Sequence, residues 1–251
     1  MVRLTGLPPS SLCLSFDDFK SLCNVWLPNP PKRIVVLDSE TSIGADKTPR
    51  FTGILSLDQS GYDEKLLIHE PDLIQAPDAC NLQEKIGLLE LDSQGIEINP
   101  NFETFVKTII GEPILKVIGE IQKLEKLRKR ANSDRKKKEI SHLISKRLRW
   151  LEGSILLVGH NVLEFDLWTL YHNLDFDEDE RASYQKHRKK RHEITHSYQS
   201  KDGYLIAEIV QVPRPNNTNL YYLRIRYKNI DLIHSNADTM KITQTMKFPK
   251  S

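Results

Sequence analysis

Two carboxylates, Asp38 and Glu40, close a short apolar run in Ile34-Val35-Val36-Leu37-Asp38-Ser39-Glu40-Thr41. On an extended strand residues i and i+2 share a face, so the two acids can converge on one point. Like charges so placed repel unless a cation or a base lies between them. Divalent Mg²⁺ or Mn²⁺ bound by carboxylate and phosphate oxygens meets that need. A third acid, Asp166, stands in ILLVGHNVLEFDLWTL, residues 155–170. There an apolar run passes through Gly159-His160-Asn161 into the first turn of an amphipathic helix, where the helix dipole favours a carboxylate. Phe165, Leu167 and Leu170 are then spaced to fill the core while Asp166 faces the strand ends. The bland alternatives are ordinary ones: a D-x-E arises often by chance, and an acid at a helix start can simply stabilise it.

The elements that must position these acids alternate in type. Ile34–Leu37 reads as a strand buried on both faces, FTGILSLD (51–58) as a second strand and Lys65–His69 as a third, an antiparallel meander. A short helix at Ser15–Val25, stopped by Pro28, Pro30 and Pro31, belongs to a lead-in over residues 1–33. Phe102–Ile110 carries an apolar stripe that Gly111 and Pro113 interrupt. From Ile114 to Leu151 apolar residues recur at helical spacing on both sides of Ala131-Asn132-Ser133-Asp134, a cap cluster. This predicts two antiparallel helices, a hairpin inserted at about 112–152 and projecting from the body; one continuous helix is the other reading. Ile155–Val158 is another buried strand. The charge-blocked stretch 175–200 has the composition of a flexible segment. Tyr204–Val212 and Leu220–Tyr227 form a β-hairpin, with Ile230–Ile233 continuing its second strand.

D38-S-E40-T and G159-H160-N161-x-x-x-F165-D166 resemble the first two motifs of the DEDD superfamily of 3′–5′ exonucleases, the group of DnaQ-like proofreading subunits and of the exonuclease domains of family B DNA polymerases. The resemblance covers roughly Ile34 to Asn173 without the helical insertion. It implies an α/β, RNase H-like domain over 34–251 with a mixed sheet flanked by helices. It also implies that Asp38, Glu40 and Asp166 bind two Mg²⁺ or Mn²⁺ ions for phosphodiester hydrolysis, with Asn161 positioning its segment or the substrate. The family's fourth Asp, preceded by a Tyr or His that orients or deprotonates the attacking water, has more than one reading here. His234 and Asp238 supply the two residue types. Alternatively, Asp238-Thr239-Met240 resembles the element that precedes the third motif; the fourth acid then lies beyond Ser251, in a longer protein or on a partner. Asp231 is the third choice.

The net charge of +2 hides segregation. Residues 116–149 hold 13 Lys/Arg against 4 Asp/Glu, and 186–191 (KHRKKR) add five positive charges, which leaves the remainder strongly acidic. An acidic body with basic segments predicts a polyanion partner, single-stranded DNA or RNA. Lys129, Arg130, Arg135, Lys136, Lys137 and Lys138 on the hairpin, with Arg188, Lys189, Lys190 and Arg191, would hold the phosphate backbone. Tyr184, Tyr198 and Trp168 are the aromatics available for stacking on bases, Trp168 being better suited to the core. His160 reads as structural, and His187, His192 and His196 as solvated loop residues. No run of apolar residues is long enough for a membrane span. The first residues lack the apolar core of a secretory signal. Cys13, Cys23 and Cys80 form no C-x-x-C pair, which points to an intracellular, reducing compartment such as the cytoplasm and away from zinc or a disulfide framework. Phosphate-loop, serine-elbow and dinucleotide fingerprints do not occur in the sequence.

Overall fold

The apolar run that ends in Asp38 lies inside a six-stranded mixed sheet. The computed structural model describes residues 30–41, 49–69, 95–98, 100–174, 194–213 and 219–240. The N-terminal helix, all three cysteines, Tyr184, His187, His192 and the KHRKKR segment with Arg188, Lys189, Lys190 and Arg191 lie outside them.

Strands β1 (Arg33–Thr41), β2 (Pro49–Asp58) and β3 (Gly61–Ile68) form the expected meander, and β4 (Ile96–Ile98) adds in parallel to β3. On the other side of β1, β5 (Ile155–Gly159) pairs in parallel, and β10 (Ile233–Asp238) pairs in parallel with β5. The sheet order is β10-β5-β1-β2-β3-β4. Burial alternates along β1: Arg33, Val35, Leu37 and Ser39 point into the core side, while Val36, Asp38 and Glu40 are exposed on the other face.

Helix α1 (Phe102–Arg130) covers the core side. It is kinked where the sequence predicts, at Gly111, whose φ of 71° an L side chain rarely adopts. A Cβ there would also stand 2.4 Å from the Arg33 guanidinium carbon, so the buried cation would have to shift. Pro113 follows in the first turn of the resumed helix, where its missing N–H costs nothing. Arg33 is buried, paired with Asp58 at 2.6 Å, and donates to the carbonyls of Thr108 and Ile109 at 3.3 and 3.2 Å. The cation thus answers both a buried carboxylate and the carbonyl end of the first helical segment.

The basic segment folds as two helices. Ala131–Ser133 separates α1 from α2 (Asp134–Leu151), and the Ser133 side chain caps α2 by accepting from the Lys136 amide. The base of this hairpin is docked on the body, so less of it projects than the sequence predicts. Ile114, Ile118, Ile121 and Ile144 join the core, Gln122 donates to Asp202 at 2.7 Å, and Lys228 pairs with Glu125.

A second, four-stranded antiparallel sheet has the order β6-β7-β8-β9, from β6 (Ile194–Gln199), β7 (Leu205–Pro213), β8 (Asn219–Tyr227) and β9 (Ile230–Asp231). Two expectations change here. The last residues of the charged stretch 175–200 form β6, because Tyr198 is buried against the core and hydrogen-bonds Glu103 at 2.9 Å. That burial also removes Tyr198 as a stacking platform. Ile230–Ile233 does not continue β8: Lys228, at φ 55°, turns the chain back, β9 pairs with β8, and β10 then crosses to the first sheet. Between β5 and β6 lie a π-helical turn (Val162–Asp166) and helix α3 (Leu167–Asn173). None of the described helices is long and apolar enough to cross a membrane.

Candidate functional site at the strand ends

Strands β1 and β5 pair only as far as Val36 and Val158. Beyond that point the ladder between them stops, and the Ser39 amide has Asp166 rather than a β5 carbonyl as its acceptor. Asp166 takes its place: the Ser39 N–H donates to Asp166 Oδ1 at 2.7 Å. The carboxylate therefore sits at the carboxyl ends of two adjacent parallel strands, β1 and β5. Asp166 is 1% exposed, and its second oxygen, Oδ2, is buried without a hydrogen-bond partner. Burial pushes its carboxyl up to about 7; the Ser39 amide opposes this, and the charges of Asp38 and Asp238 add to it.

The turn that delivers Asp166 depends on close packing. A Cβ on Gly159 would come within 2.9 Å of the Leu37 carbonyl and 2.7 Å of Val162 Cβ, so glycine is required. Asn161 adopts the left-handed region at φ 66°, which asparagine tolerates. Its carbonyl accepts from Phe165 N–H at 2.9 Å, while its side-chain oxygen is buried without a partner. Val162, Leu163, Leu167 and Leu170 are buried, whereas Phe165, expected in the core, is only half-buried.

The other acids divide. Asp38 and Glu40 share the exposed face of β1, as the period of two requires, and Glu40 lies at the irregularity that ends the β1–β2 pairing. Asp238 is brought to the same end of the sheet, beside Gly159 in register. Its carboxylate is engaged by the backbone: Oδ1 accepts from Asn161 and Met240 at 3.1 and 2.9 Å, and Oδ2 from Leu163 at 3.2 Å. Asp238 thus anchors the Gly-His-Asn turn, reinforced by the bond between Thr239 and His160 Nδ1 at 3.1 Å.

His234 is not at the site. It is the second residue of β10, where its ring faces Gly153, four residues and so about 13 Å from Asp238 along the strand. Asp231 is at that end too, its carbonyl accepting from the Gly153 amide. Among the described residues, no group of three or more His, Cys, Asp and Glu side chains is arranged to hold a metal ion.

Two residues the sequence did not single out lie behind β1. Ser39 Oγ is bonded to Thr52 Oγ1 at 3.0 Å, and Thr52 Oγ1 to His69 Nε2 at 2.9 Å. The signal available was the period of two, which turns Ser39 to the face opposite Asp38; nothing local connects it to His69.

The basic hairpin is elsewhere. Lys129, Arg130, Arg135, Lys136, Lys137 and Lys138 are exposed near its tip. Both its roots are at the opposite end of the sheet from Asp166, Gly111 against Arg33, and Ser154 accepting from the Lys32 and Arg33 amides. Arg33 and Asp38 are five residues apart on β1, about 16 Å. Comparison with models of known families, with curated proteins and with solved structures returned no match.

Proposed function

We propose that the chain is an RNase H-like domain of exonuclease type that hydrolyses DNA or RNA from 3′ ends, single strands favoured, in a reducing intracellular compartment. The observation that carries the reading is Asp166: a buried carboxylate at the ends of β1 and β5, with one oxygen fixed by Ser39, the other unpartnered, and the Asp38 charge acting on it. The sheet order supports it. A central β1 with the β2–β3 meander on one side and two parallel strands on the other makes a mixed sheet, the kind the proposed RNase H-like domain requires.

Carboxylate oxygens are the donors a hard divalent cation prefers, and Oδ2 of Asp166 is buried without a hydrogen-bond partner, although the described acids are not gathered as a group of three around one point. Asp38 and Asp166, with Glu40 beside them, would hold two Mg²⁺ or Mn²⁺ ions. Bound there, such ions would lower the pKa of water and stabilise a leaving oxygen. The chain's own part is to orient. The Ser39 amide fixes Asp166, the Gly159 turn presses it against β1, and Asp238 holds that turn by its amides. The exposed basic tip of the hairpin attracts polynucleotide phosphates.

A 5′-labelled single strand incubated with Mg²⁺ or Mn²⁺ tests the proposal. Asp38→Asn and Asp166→Asn are expected to slow shortening by about a hundredfold or more, given the several kcal/mol a catalytic ion supplies. A second reading, a nucleic-acid-binding module without catalysis, is favoured by the engagement of Asp238 with three backbone amides. It wins if wild type and Asp38→Asn bind the strand alike and neither shortens it. For Asp238→Ala, the expected outcome is a lower Tm with Mn²⁺ affinity unchanged; weakened Mn²⁺ binding in a folded variant would make Asp238 a ligand.

A further inference from the structure

We infer that Thr52 and His69 are positioning residues for Asp166, acting through Ser39, an inference that rests on the proposed carboxylate site. The three side chains form one continuous line from β3 to β1. Thr52 is fully buried and Ser39 is 3% exposed, so neither hydroxyl can exchange its partner freely for water. His69 Nε2 bonds Thr52 Oγ1, which bonds Ser39 Oγ, and the amide of that same Ser39 holds Asp166 Oδ1. Ser39 thus bonds on both sides of the strand end: its side chain is tied to β2, its amide to the turn after β5. At this point β1 no longer pairs with β5, so the ladder does not fix the Ser39 amide on that side. On the other side β1 stays paired with β2 through Asp38, Ser39 and Glu40, and the hydroxyl bond to Thr52 adds a side-chain tie to that ladder.

The His69 backbone secures the far end, its amide donating to the Arg50 carbonyl at 3.0 Å. Burial brings the His69 ring down to about 4, so it is a neutral partner at physiological pH. Two hydrogen-bond directions are open to the line. Either the hydroxyls donate toward the ring, or the ring donates and the hydroxyls point toward Ser39. Both hold Ser39 in place.

Groups that orient a metal-binding side chain typically carry 10–100-fold of metal affinity. The experiment compares wild type, Thr52→Val, Thr52→Ser and His69→Asn by two readouts, the ¹H–¹⁵N resonance of the Ser39 amide and Mn²⁺ affinity by calorimetry. Thr52→Val keeps the side-chain volume and removes the hydroxyl; Thr52→Ser restores it. Expected are a displaced Ser39 amide resonance and Mn²⁺ binding weaker by roughly tenfold in Thr52→Val and His69→Asn, with Thr52→Ser near wild type. A Ser39 resonance unmoved in a folded Thr52→Val overturns the inference, as does a displacement that Thr52→Ser does not reverse. If wild type binds no Mn²⁺, the carboxylate site as a metal centre fails, while the Ser39 resonance still decides the positioning role.

Discussion

Burial acts on Asp166 and His69 in opposite senses because it disfavours charge in both. Asp166 is pushed up to about 7 and His69 down to about 4. Between pH 4 and 7 the folded chain keeps the Asp166 proton that the unfolded chain has released, so this residue costs stability as pH rises. Between pH 6.5 and 4 the unfolded chain protonates His69 and the folded chain does not, so this residue costs stability as pH falls. The two slopes oppose each other over pH 4–6.5 in the wild type. Thermal unfolding from pH 4.5 to 6.5 separates them: Tm should rise with pH more steeply in Asp166→Asn than in wild type, and less steeply or fall in His69→Asn. Parallel profiles for all three would refute both assignments. The D-x-E and Asp166 were legible as acids because their types and local spacing are visible in the chain. The state of Asp166 was not, since its partner Ser39 is 127 residues away.

At the scale of elements, local rules did well. The Gly111 kink, the Ser133 cap and the meander all follow from glycine, cap and alternation signals within a few residues. What such signals cannot carry is the direction in which an element leaves the body. The hairpin departs from the end of the sheet opposite the carboxylates and leans on the second sheet through Gln122 and Glu125. Under the proposed function its basic tip is therefore expected to contribute affinity without shaping the proposed carboxylate site. Reversing Lys136, Lys137 and Lys138 to Glu should weaken binding of a single strand. The slope of log K against log salt should fall by about 2, at ~0.7 for each phosphate these lysines would otherwise neutralise. The shortening rate at saturating strand should stay unchanged. An unaltered salt slope would mean that the tip is only a solvated surface.

At the scale of the whole molecule, the described residues share one core. Val35, Leu37 and Ile155 of the first sheet, Ile209, Leu223 and Ile225 of the second, and Ile114, Ile118 and Ile121 of α1 belong to a single cluster. The two sheets are thus expected to unfold together: transitions followed by far-ultraviolet circular dichroism and by tryptophan fluorescence should coincide in urea, and two separated transitions would contradict a shared core. By itself the sequence determined the α/β alternation, the strand that carries Asp38, though with one face exposed where both were expected to be buried, the Gly-His-Asn turn leading to Asp166 and the break in the hairpin. Each depends on periodicity or on a turn residue acting on its neighbours. Only the tertiary structure decided that Asp166 replaces a missing strand partner, that Asp238 is engaged by the turn, that His234 lies at the far end of its strand and that His69 reaches Ser39 through Thr52. These pairings join residues distant in sequence, and they are set by which strands become neighbours and where their pairing stops.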